Sequence, residues 1–207
     1  MPALPPPVPS IEFNLSSTGM SKGIAQTDGP QVLVRGELSF GALYFAAYGK
    51  NVTSPIEDGE GGPLIGVQLT EGGFDLGASL AWKHAINAAP GTDANAVEMS
   101  GSIGHPIGRL QPRLSIVWSP DDLGGTGRTV FAEAGASYPL GKTVTASAAV
   151  GRRHRSGGLD YTAWNAGLSW AAYKRFTLDL RYYDTDASAD PDQPYRPRVV
   201  ASGRLSF

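Results

Sequence analysis

Charged residues in this 207-residue sequence recur at alternate positions of segments whose other positions are mostly apolar. In an extended chain such residues share one face, where they can line a polar passage or neutralise one another in salt bridges. Basic and acidic members are nearly balanced, which predicts weak selectivity between anions and cations. The set is Glu12, Arg35, Glu37, Asp75, Lys83, Glu98, Arg113, Glu133, Arg153, Asp179, Arg181, Arg198 and Arg204.

Catalytic chemistry has less support in the sequence. The three histidines, His84, His105 and His154, do not have the spacing of metal ligands, and no G-x-S-x-G stretch accompanies them. The sequence therefore predicts no enzyme, no metal site and no cofactor. A dyad assembled in space from distant residues, as in an outer-membrane lipid-modifying enzyme, stays open as an alternative.

The segments that carry these charges have the pattern of β-strands. In FDLGASLAWK (residues 74–83), large apolar residues alternate with small, polar or charged ones, and no segment shows a 3.6-residue repeat. The turn signals divide the chain into twelve predicted strands and leave essentially no helix. The strands lie near residues 10–20, 30–40, 42–52, 63–71, 74–85, 95–106, 110–120, 128–139, 143–154, 161–171, 175–185 and 196–207.

Short and long connections alternate along the chain. Tight turns are predicted around Gly41, Gly72, Gly108, Gly141 and Tyr173. Longer polar loops are predicted at residues 21–29, 53–62, 86–94, 121–127, 155–160 and 186–195. This alternation predicts an up-and-down meander with the tight turns at one end and the long loops at the other.

The two faces of the strands differ in a way that indicates a membrane protein. One face is apolar in every strand and carries aromatic residues near both ends, whereas the other is mostly Gly, Ala, Ser and Thr. Charged residues make up only 17% of the chain, below the roughly 25% of soluble domains. We therefore predict an all-β fold, a twelve-stranded antiparallel up-and-down transmembrane β-barrel over residues 10–207. Residues 1–9 form a proline-rich extended segment, and a soluble β-sandwich or lipocalin-like barrel is the alternative.

Composition argues against several other classes. A net charge of −2 argues against a nucleic-acid partner, and the absence of cysteine excludes disulfides and thiolate metal sites. No run of about 18 apolar residues predicts a membrane-spanning helix. The opening MPALPPPVPS has neither the basic region nor the apolar core of a signal peptide.

The sequence ends on an alternating stretch, VVASGRLSF (residues 199–207). As the edge of an open sheet this stretch would expose unpaired backbone groups, whereas in a closed barrel it pairs with the first strand. A terminal aromatic residue, here Phe207, also resembles the signal by which bacterial outer-membrane barrels are recognised for insertion. The expected partners are this barrel-insertion machinery, the lipid bilayer with its lipopolysaccharide, and small hydrophilic solutes.

Four stretches of the chain occur together in a recognisable order and spacing: SKGIAQTDG (21–29), FAEAGASYPLG (131–141), LDYTAWNAGLSW (159–170) and LRYYDTDA (180–187). Their combination resembles the TorF-type porin family, also known as the Gcw_chp domain. The resemblance covers the chain from about residue 11 to the C-terminus. It implies a Gram-negative outer-membrane barrel and, by presumption within the family, a porin.

These observations predict a monomeric or weakly associating outer-membrane porin that passes ions or small hydrophilic solutes and has both termini in the periplasm. None of the long loops is expected to be large enough to form a constriction across the lumen. A barrel plugged by its own salt bridges, acting as a scaffold or docking partner, is the main alternative.

Overall fold

The computed structural model describes residues 5–54, 56–187 and 193–207. Residues 1–4 of the predicted N-terminal segment, and residue 55 and residues 188–192 of two predicted loops, lie outside these ranges. The helical segments of the described residues are two short 3₁₀ turns, Leu123–Gly125 and Gln193–Tyr195. None of the helices in this part of the chain has the length and apolar character needed to cross a membrane.

The alternating pattern forms β-strands, because extended backbone places successive side chains on opposite faces. The strands are β1 (Val8–Ser16), β2 (Met20–Ser21), β3 (Ile24–Ala25), β4 (Gln31–Phe40), β5 (Leu43–Asn51), β6 (Gly59–Glu71), β7 (Phe74–Ile86), β8 (Asn95–Gly104), β9 (Gln111–Asp122), β10 (Gly127–Pro139), β11 (Val144–Arg155), β12 (Tyr161–Tyr173), β13 (Phe176–Thr185) and β14 (Arg198–Ser206). Among the described residues, β2 and β3 pair only with each other, as a hairpin within the first long connection. The other twelve strands belong to one sheet.

This sheet closes on itself as a barrel. Each strand pairs antiparallel with its neighbours along the chain, and β1 pairs with both β4 and β14. At the seam, the backbone N–H of Ile11 donates to the carbonyl oxygen of Phe207 with an N···O distance of 3.2 Å, and the N–H of Phe207 donates back at 3.0 Å. Closure leaves the end strands without an open edge, and the predicted twelve-stranded antiparallel barrel is confirmed.

Tight turns and long loops lie at opposite ends of the barrel, which we call the tight-turn end and the long-loop end. The turns at Gly41 and at Gly72-Gly73 use the left-handed region, with φ of 65° at the first and 59° and 80° at the other two. Glycine adopts this region at little steric cost, so the neighbouring strands can be joined by only a few residues.

The apolar face of the sheet points outward. Leu80, Leu114 and Leu180 are 43%, 58% and 56% exposed. Side chains of this size are buried in the core of a soluble protein, so their exposure on every side of the ring indicates an apolar surrounding.

Exposed aromatic residues mark the two rims of this outer face. Trp170 and Phe176 lie towards the tight-turn end, and Trp82 and Trp164 lie towards the long-loop end. Tryptophan favours the boundary between lipid and water, because its ring is apolar while its N–H can donate to polar groups. The two belts are therefore consistent with a band of apolar surface between two interfaces.

Buried apolar clusters occur where the long loops meet the strand ends. One packs Ala85 and Ala96 against Leu123, and the other packs Tyr161 against Tyr195. Tyr161 is 0% exposed, and its ring meets that of Tyr195 edge to face with centroids 5.4 Å apart. The long loops are thus packed onto the barrel wall.

Gly62 on β6 has no space for a side chain. A Cβ atom built there would lie 1.9 Å from the carbonyl oxygen of Trp82, so β6 and β7 would have to move apart. We expect Gly62→Ala to lower the free energy of unfolding by about 1–3 kcal/mol. Urea titration of the folded barrel in lipid vesicles, followed by tryptophan fluorescence, measures this change.

Gly36→Ala is the matched control for this substitution. Gly36 also lies within a strand, β4, and nothing lies within 4 Å of a Cβ atom built there. If the two variants unfolded at the same urea concentration, the close approach of β6 and β7 would be contradicted.

Candidate functional site

The charged residues predicted to line the lumen occupy strand positions that alternate with those of the exposed outer face. The structure spreads them along the barrel axis and does not gather them at one level. Lys83, Glu98 and Arg153 lie near the long-loop end, as does Arg198 at the start of β14. The others lie nearer the middle of the barrel or the tight-turn end: Glu12, Arg35, Glu37, Asp75, Arg113, Glu133, Asp179, Arg181 and Arg204.

One buried acid near the long-loop end, Asp122, pairs with three cations. Its carboxylate oxygens lie 3.0 Å from Lys83 Nζ, 2.9 Å from Arg153 Nη2 and 3.4 Å from Lys22 Nζ. It also accepts a hydrogen bond of 3.0 Å from the backbone N–H of Leu123. The four charged side chains are at most 10% exposed, so removing one partner would leave buried charge without compensation.

A second acid, Glu60, extends this arrangement along the wall. Its carboxylate lies 3.3 Å from Lys50 Nζ and 3.7 Å from Lys83 Nζ, and it accepts a hydrogen bond of 2.6 Å from the hydroxyl of Tyr48. Lys83 also lies 3.6 Å from Glu98. We call the connected set the loop-end network. It comprises Lys22, Lys50, Glu60, Lys83, Glu98, Asp122 and Arg153.

The hairpin of β2 and β3 crosses the lumen to reach this network. The hairpin follows β1, yet Lys22 Nζ at its tip lies 2.5 Å from Glu98 on β8 and also reaches Asp122 on β9. β9 is six strands away from β1 in the twelve-strand ring, on the opposite side of the barrel. The hairpin therefore narrows the lumen near the long-loop end.

Contacts with β12 fix the tip of the hairpin in place. The hydroxyl of Tyr161 donates a hydrogen bond of 2.9 Å to the carbonyl oxygen of Lys22. Gly23 packs so closely on the wall that a Cβ atom there would lie 2.2 Å from that of Ala163. Lys22 and Gly23 have φ of 51° and 83°, so the tip is a tight turn in the left-handed region. Glycine is required at position 23 because it adopts this φ without strain and because a larger residue would collide with Ala163.

The expectation that no long loop is large enough to form a constriction was wrong. Four members of the loop-end network, Lys22, Lys50, Glu60 and Asp122, were also not predicted from the sequence. Lys50 continues the alternation of β5, but Glu60 was assigned to a loop because the glycines around it resemble a turn. Asp122 enters the lumen through a β-bulge: on β9, Ser119 and Asp122 are three residues apart, while their partners on β10 are two apart. The bulge changes which residues face inward, and no simple alternation predicts it.

Between the hairpin and the tight-turn end lies a polar cavity of about 810 Å³, which we call the vestibule. Its wall includes small or neutral polar side chains such as Ser102, Ser115 and Asn165, which leave space open in the barrel interior. Arg113, Glu133 and Arg181 also line it.

The charged residues of the vestibule differ in how they are paired. Arg181 donates hydrogen bonds of 2.7 Å to Asn165 and to Ser147, and lies 3.2 Å from Asp179. In contrast, within the described ranges neither Arg113 nor Glu133 makes a side-chain hydrogen bond or an ion pair within 4.0 Å. Glu133 interacts with Arg113, and also with Arg181, through longer-range electrostatics.

The three histidines lie on the outside of the barrel. His84 Nδ1 lies 3.0 Å from the amide oxygen of Asn95, and His154 Nδ1 lies 2.5 Å from the carboxylate of Asp160. His105 Nδ1 lies 2.9 Å from the carbonyl oxygen of Gly73. These contacts bring each imidazole to a polar partner at a rim of the barrel, and none of the three faces the vestibule.

The sequence as a whole carries a family signature. A family profile described as "Bacterial protein of unknown function (Gcw_chp)" matches residues 65–201, well over half of the chain. The chain belongs to the Gcw_chp family. A comparison with curated protein sequences finds no significant match for this Gcw_chp protein.

Solved structures similar to the Gcw_chp barrel include porins and a channel. The KdgM porin in complex with disordered oligogalacturonate is 11% identical, with a TM-score of 0.65, covering 96% of this chain and 99% of the porin. The NanC porin is 6% identical, with a TM-score of 0.64 and coverages of 97% and 99%. The CymD monoaromatic hydrocarbon channel is 10% identical, with a TM-score of 0.53 and coverages of 99% and 88%. At these identities the likeness shows that the chain has the porin-type fold.

Asp122 is the residue whose loss should weaken the loop-end network of the Gcw_chp barrel most. Asp122→Asn removes the charge that Lys22, Lys83 and Arg153 share, and we expect it to lower the free energy of unfolding by about 3–5 kcal/mol. Urea titration in lipid vesicles measures the loss. Asp121→Asn is the control, since Asp121 is the exposed neighbour in the same strand, and equal losses in both variants would contradict the proposed role of the network.

Glu57, in the loop between β5 and β6, is a buried acid outside the loop-end network. Glu57 as a whole is only 8% exposed. Its side-chain Oε2 atom has no hydrogen-bond partner in the described part of the chain. Burial raises the pKa of this carboxyl above its ordinary value of 4.5, and the nearby charge of Glu60 adds to the rise. The protonated Glu57 carboxyl therefore contributes to stability below about pH 4.5. This contribution is lost as the pH rises through the pKa that the carboxyl has in the folded protein.

Glu57→Gln should accordingly stabilise the barrel at about pH 7, where it removes an unfavourable buried charge, and should have no effect below about pH 4. Unfolding curves at a series of pH values test this dependence. Glu71→Gln is the control, because Glu71 is exposed at the end of β6. A stabilisation by Glu57→Gln that did not change with pH would contradict the raised pKa.

Proposed function

We propose that this protein is a bacterial outer-membrane channel for passive diffusion of ions or small hydrophilic solutes through a narrow lumen of mixed charge. The observation that carries the proposal is the combination of an exposed apolar outer face with a polar vestibule inside a closed ring of strands. A soluble barrel of this size would place its apolar side chains inside. The porin-type fold supports the same interpretation.

The dimensions of the barrel support passage of small solutes. Twelve strands spaced about 4.8 Å apart and tilted by about 40° give a backbone radius of roughly 12 Å. Small inward side chains preserve much of this width in the vestibule, whereas the hairpin reduces it near the long-loop end. We therefore place the narrowest part of the proposed channel at Lys22.

The distribution of charge supports weak selectivity for the sign of the ion. The loop-end network pairs Lys22, Lys83 and Arg153 with acids at distances of 3.6 Å or less. No ring of one sign is formed by these residues, and such a ring is what strong selectivity requires. Solute size and dipole should matter more than net charge.

A plugged barrel that acts as a scaffold or docking partner is the second candidate. The observation that favours it is the hairpin itself, because its tip is held by two acids of the opposite wall and by Tyr161. In that case the working surface would be the packed loops of the long-loop end.

The same proposal assigns a location and partners. The protein would lie in the outer membrane with both termini in the periplasm, and its outer face would contact lipid and lipopolysaccharide. β14, which leads to Phe207, would be the segment recognised by the barrel-insertion machinery. The exposed aromatic belts support this placement.

Single-channel recording in planar bilayers tests the proposed function. The wild-type protein should give small, stable, ohmic steps in KCl. A variant that lacks residues 20–25 should give steps that are severalfold larger, because no segment then crosses its lumen. Folding of each variant is checked first by the change in its gel mobility on boiling.

Lys22→Arg is the control, since it keeps the cation that pairs with Glu98 and Asp122, and its conductance should match that of the wild type. A silent wild type with a conducting deletion variant would overturn the channel in favour of the plugged barrel. Silence of both, with intact folding, would also overturn the channel.

A further inference from the structure

The vestibule contains one unpaired charge of each sign. Arg113 on β9 and Glu133 on β10 face the same cavity, and in the described part of the chain neither forms an ion pair or a side-chain hydrogen bond. The other charged groups of this cavity are already compensated: Arg181 by Asp179, and Lys22 by Glu98. A solute in the vestibule therefore meets one available cation and one available anion.

The register of the strands determines the distance between the Cα atoms of these two charged residues. Glu133 pairs directly with Ser115, and Arg113 pairs with Gly135, so Arg113 and Glu133 are diagonal neighbours on adjacent strands. Diagonal neighbours have Cα atoms about 7–8 Å apart. Their long side chains can thus reach two groups of one small molecule lying between them. Asp75, which is level with Arg113 but two strands away, accepts a hydrogen bond of 2.7 Å from Thr70.

The neutral part of the wall suits a small polar molecule. Ser102 and Ser115 lie on β8 and β9, and Asn165 lies across the cavity on β12. Hydroxyl and amide groups both donate and accept hydrogen bonds, so they can replace water around a polar solute. Because these side chains are short, the cavity of about 810 Å³ keeps space for a molecule of amino-acid size.

The balance of charge discriminates between classes of solute. An anion would compensate Arg113 but leave Glu133 repelling it, and a cation would do the reverse. An uncharged polyol can hydrogen-bond to both residues in place of water, but it brings no charge of its own to compensate either of them. A zwitterion satisfies both, since its carboxylate and ammonium groups are separated by only a few bonds.

We propose that the vestibule is a binding site for small zwitterionic solutes of the α-amino-acid class, with the carboxylate at Arg113 and the ammonium group at Glu133. This inference deepens the proposed function, on which its role in transport rests. The binding itself requires only the folded barrel. The assignment makes Arg113 and Glu133 the residues that determine specificity in the proposed channel.

L-threonine and erythritol are the probes, because they have nearly the same size and differ in carrying two charges or none. Ligand-observed NMR with the folded full-length protein in detergent micelles should show saturable binding of L-threonine and none of erythritol at equal concentration. Arg113→Met and Glu133→Gln should each weaken threonine binding by about fivefold, the upper range for a partly exposed ion pair. The exchanged pair Arg113→Glu with Glu133→Arg should restore it.

Lys142→Met and Glu71→Gln are the matched controls, since each removes one charge from an exposed position at the tight-turn end, outside the vestibule. Neither should change threonine binding. If a vestibule variant fails to fold, wild-type protein supplies the same test: L-threonine methyl ester lacks the negative charge and N-acetyl-L-threonine lacks the positive one, so both should bind more weakly than L-threonine.

Equal binding of threonine and erythritol, or equal binding of threonine and both single-charge analogues, would overturn the inference. Conductance in KCl, recorded on the same preparation, separates this failure from failure of the proposed function. A conducting barrel that does not bind threonine would refute the zwitterion site alone. A silent barrel that binds threonine would refute the channel and support the site.

Discussion

The backbone hydrogen bonds between β1 and β14 turn a twelve-stranded meander into a closed ring. Without them each end strand would present a row of unpaired donors and acceptors, which hydrocarbon does not tolerate and which promotes aggregation in water. Closure also sets the width of the interior, because the number and tilt of the strands determine the radius of the ring. The loop-end network and the vestibule both lie in the space that this closure creates.

Inside the ring, the degree of desolvation decides how charges are arranged. At the long-loop end the hairpin and the packed loops exclude water, and every charge of the loop-end network has an opposite partner within 4.0 Å. In the vestibule the space is open, so Arg113 and Glu133 can stay separate. The same inward-facing alternation therefore produces a network of salt bridges at the long-loop end and a candidate binding surface in the vestibule.

Most of the fold follows from local patterns. Strands such as β4, β7 and β13 begin and end within a residue or two of their predicted bounds, because a period of two and glycine-rich turns specify them without reference to the rest of the chain. The inward face of each strand follows from the same period. Errors arise where glycine or a bulge interrupts the pattern: β6 begins at Gly59, four residues before its predicted start, and Asp122 changes face at the bulge of β9.

The sequence by itself determined the number of strands in the barrel, the separation of tight turns from long loops, and, outside the bulge of β9, which side chains share one face of a strand. These properties depend on residues close together in the chain and on the alternation of the extended backbone. Only the tertiary structure decided that Lys22 crosses the lumen to Asp122, a partner 100 residues away. It also decided that Arg113 and Glu133 line the vestibule without forming an ion pair within the described residues. Such contacts depend on the closed shape of the barrel and on the path of one loop through it, and neither has a local signal in the sequence.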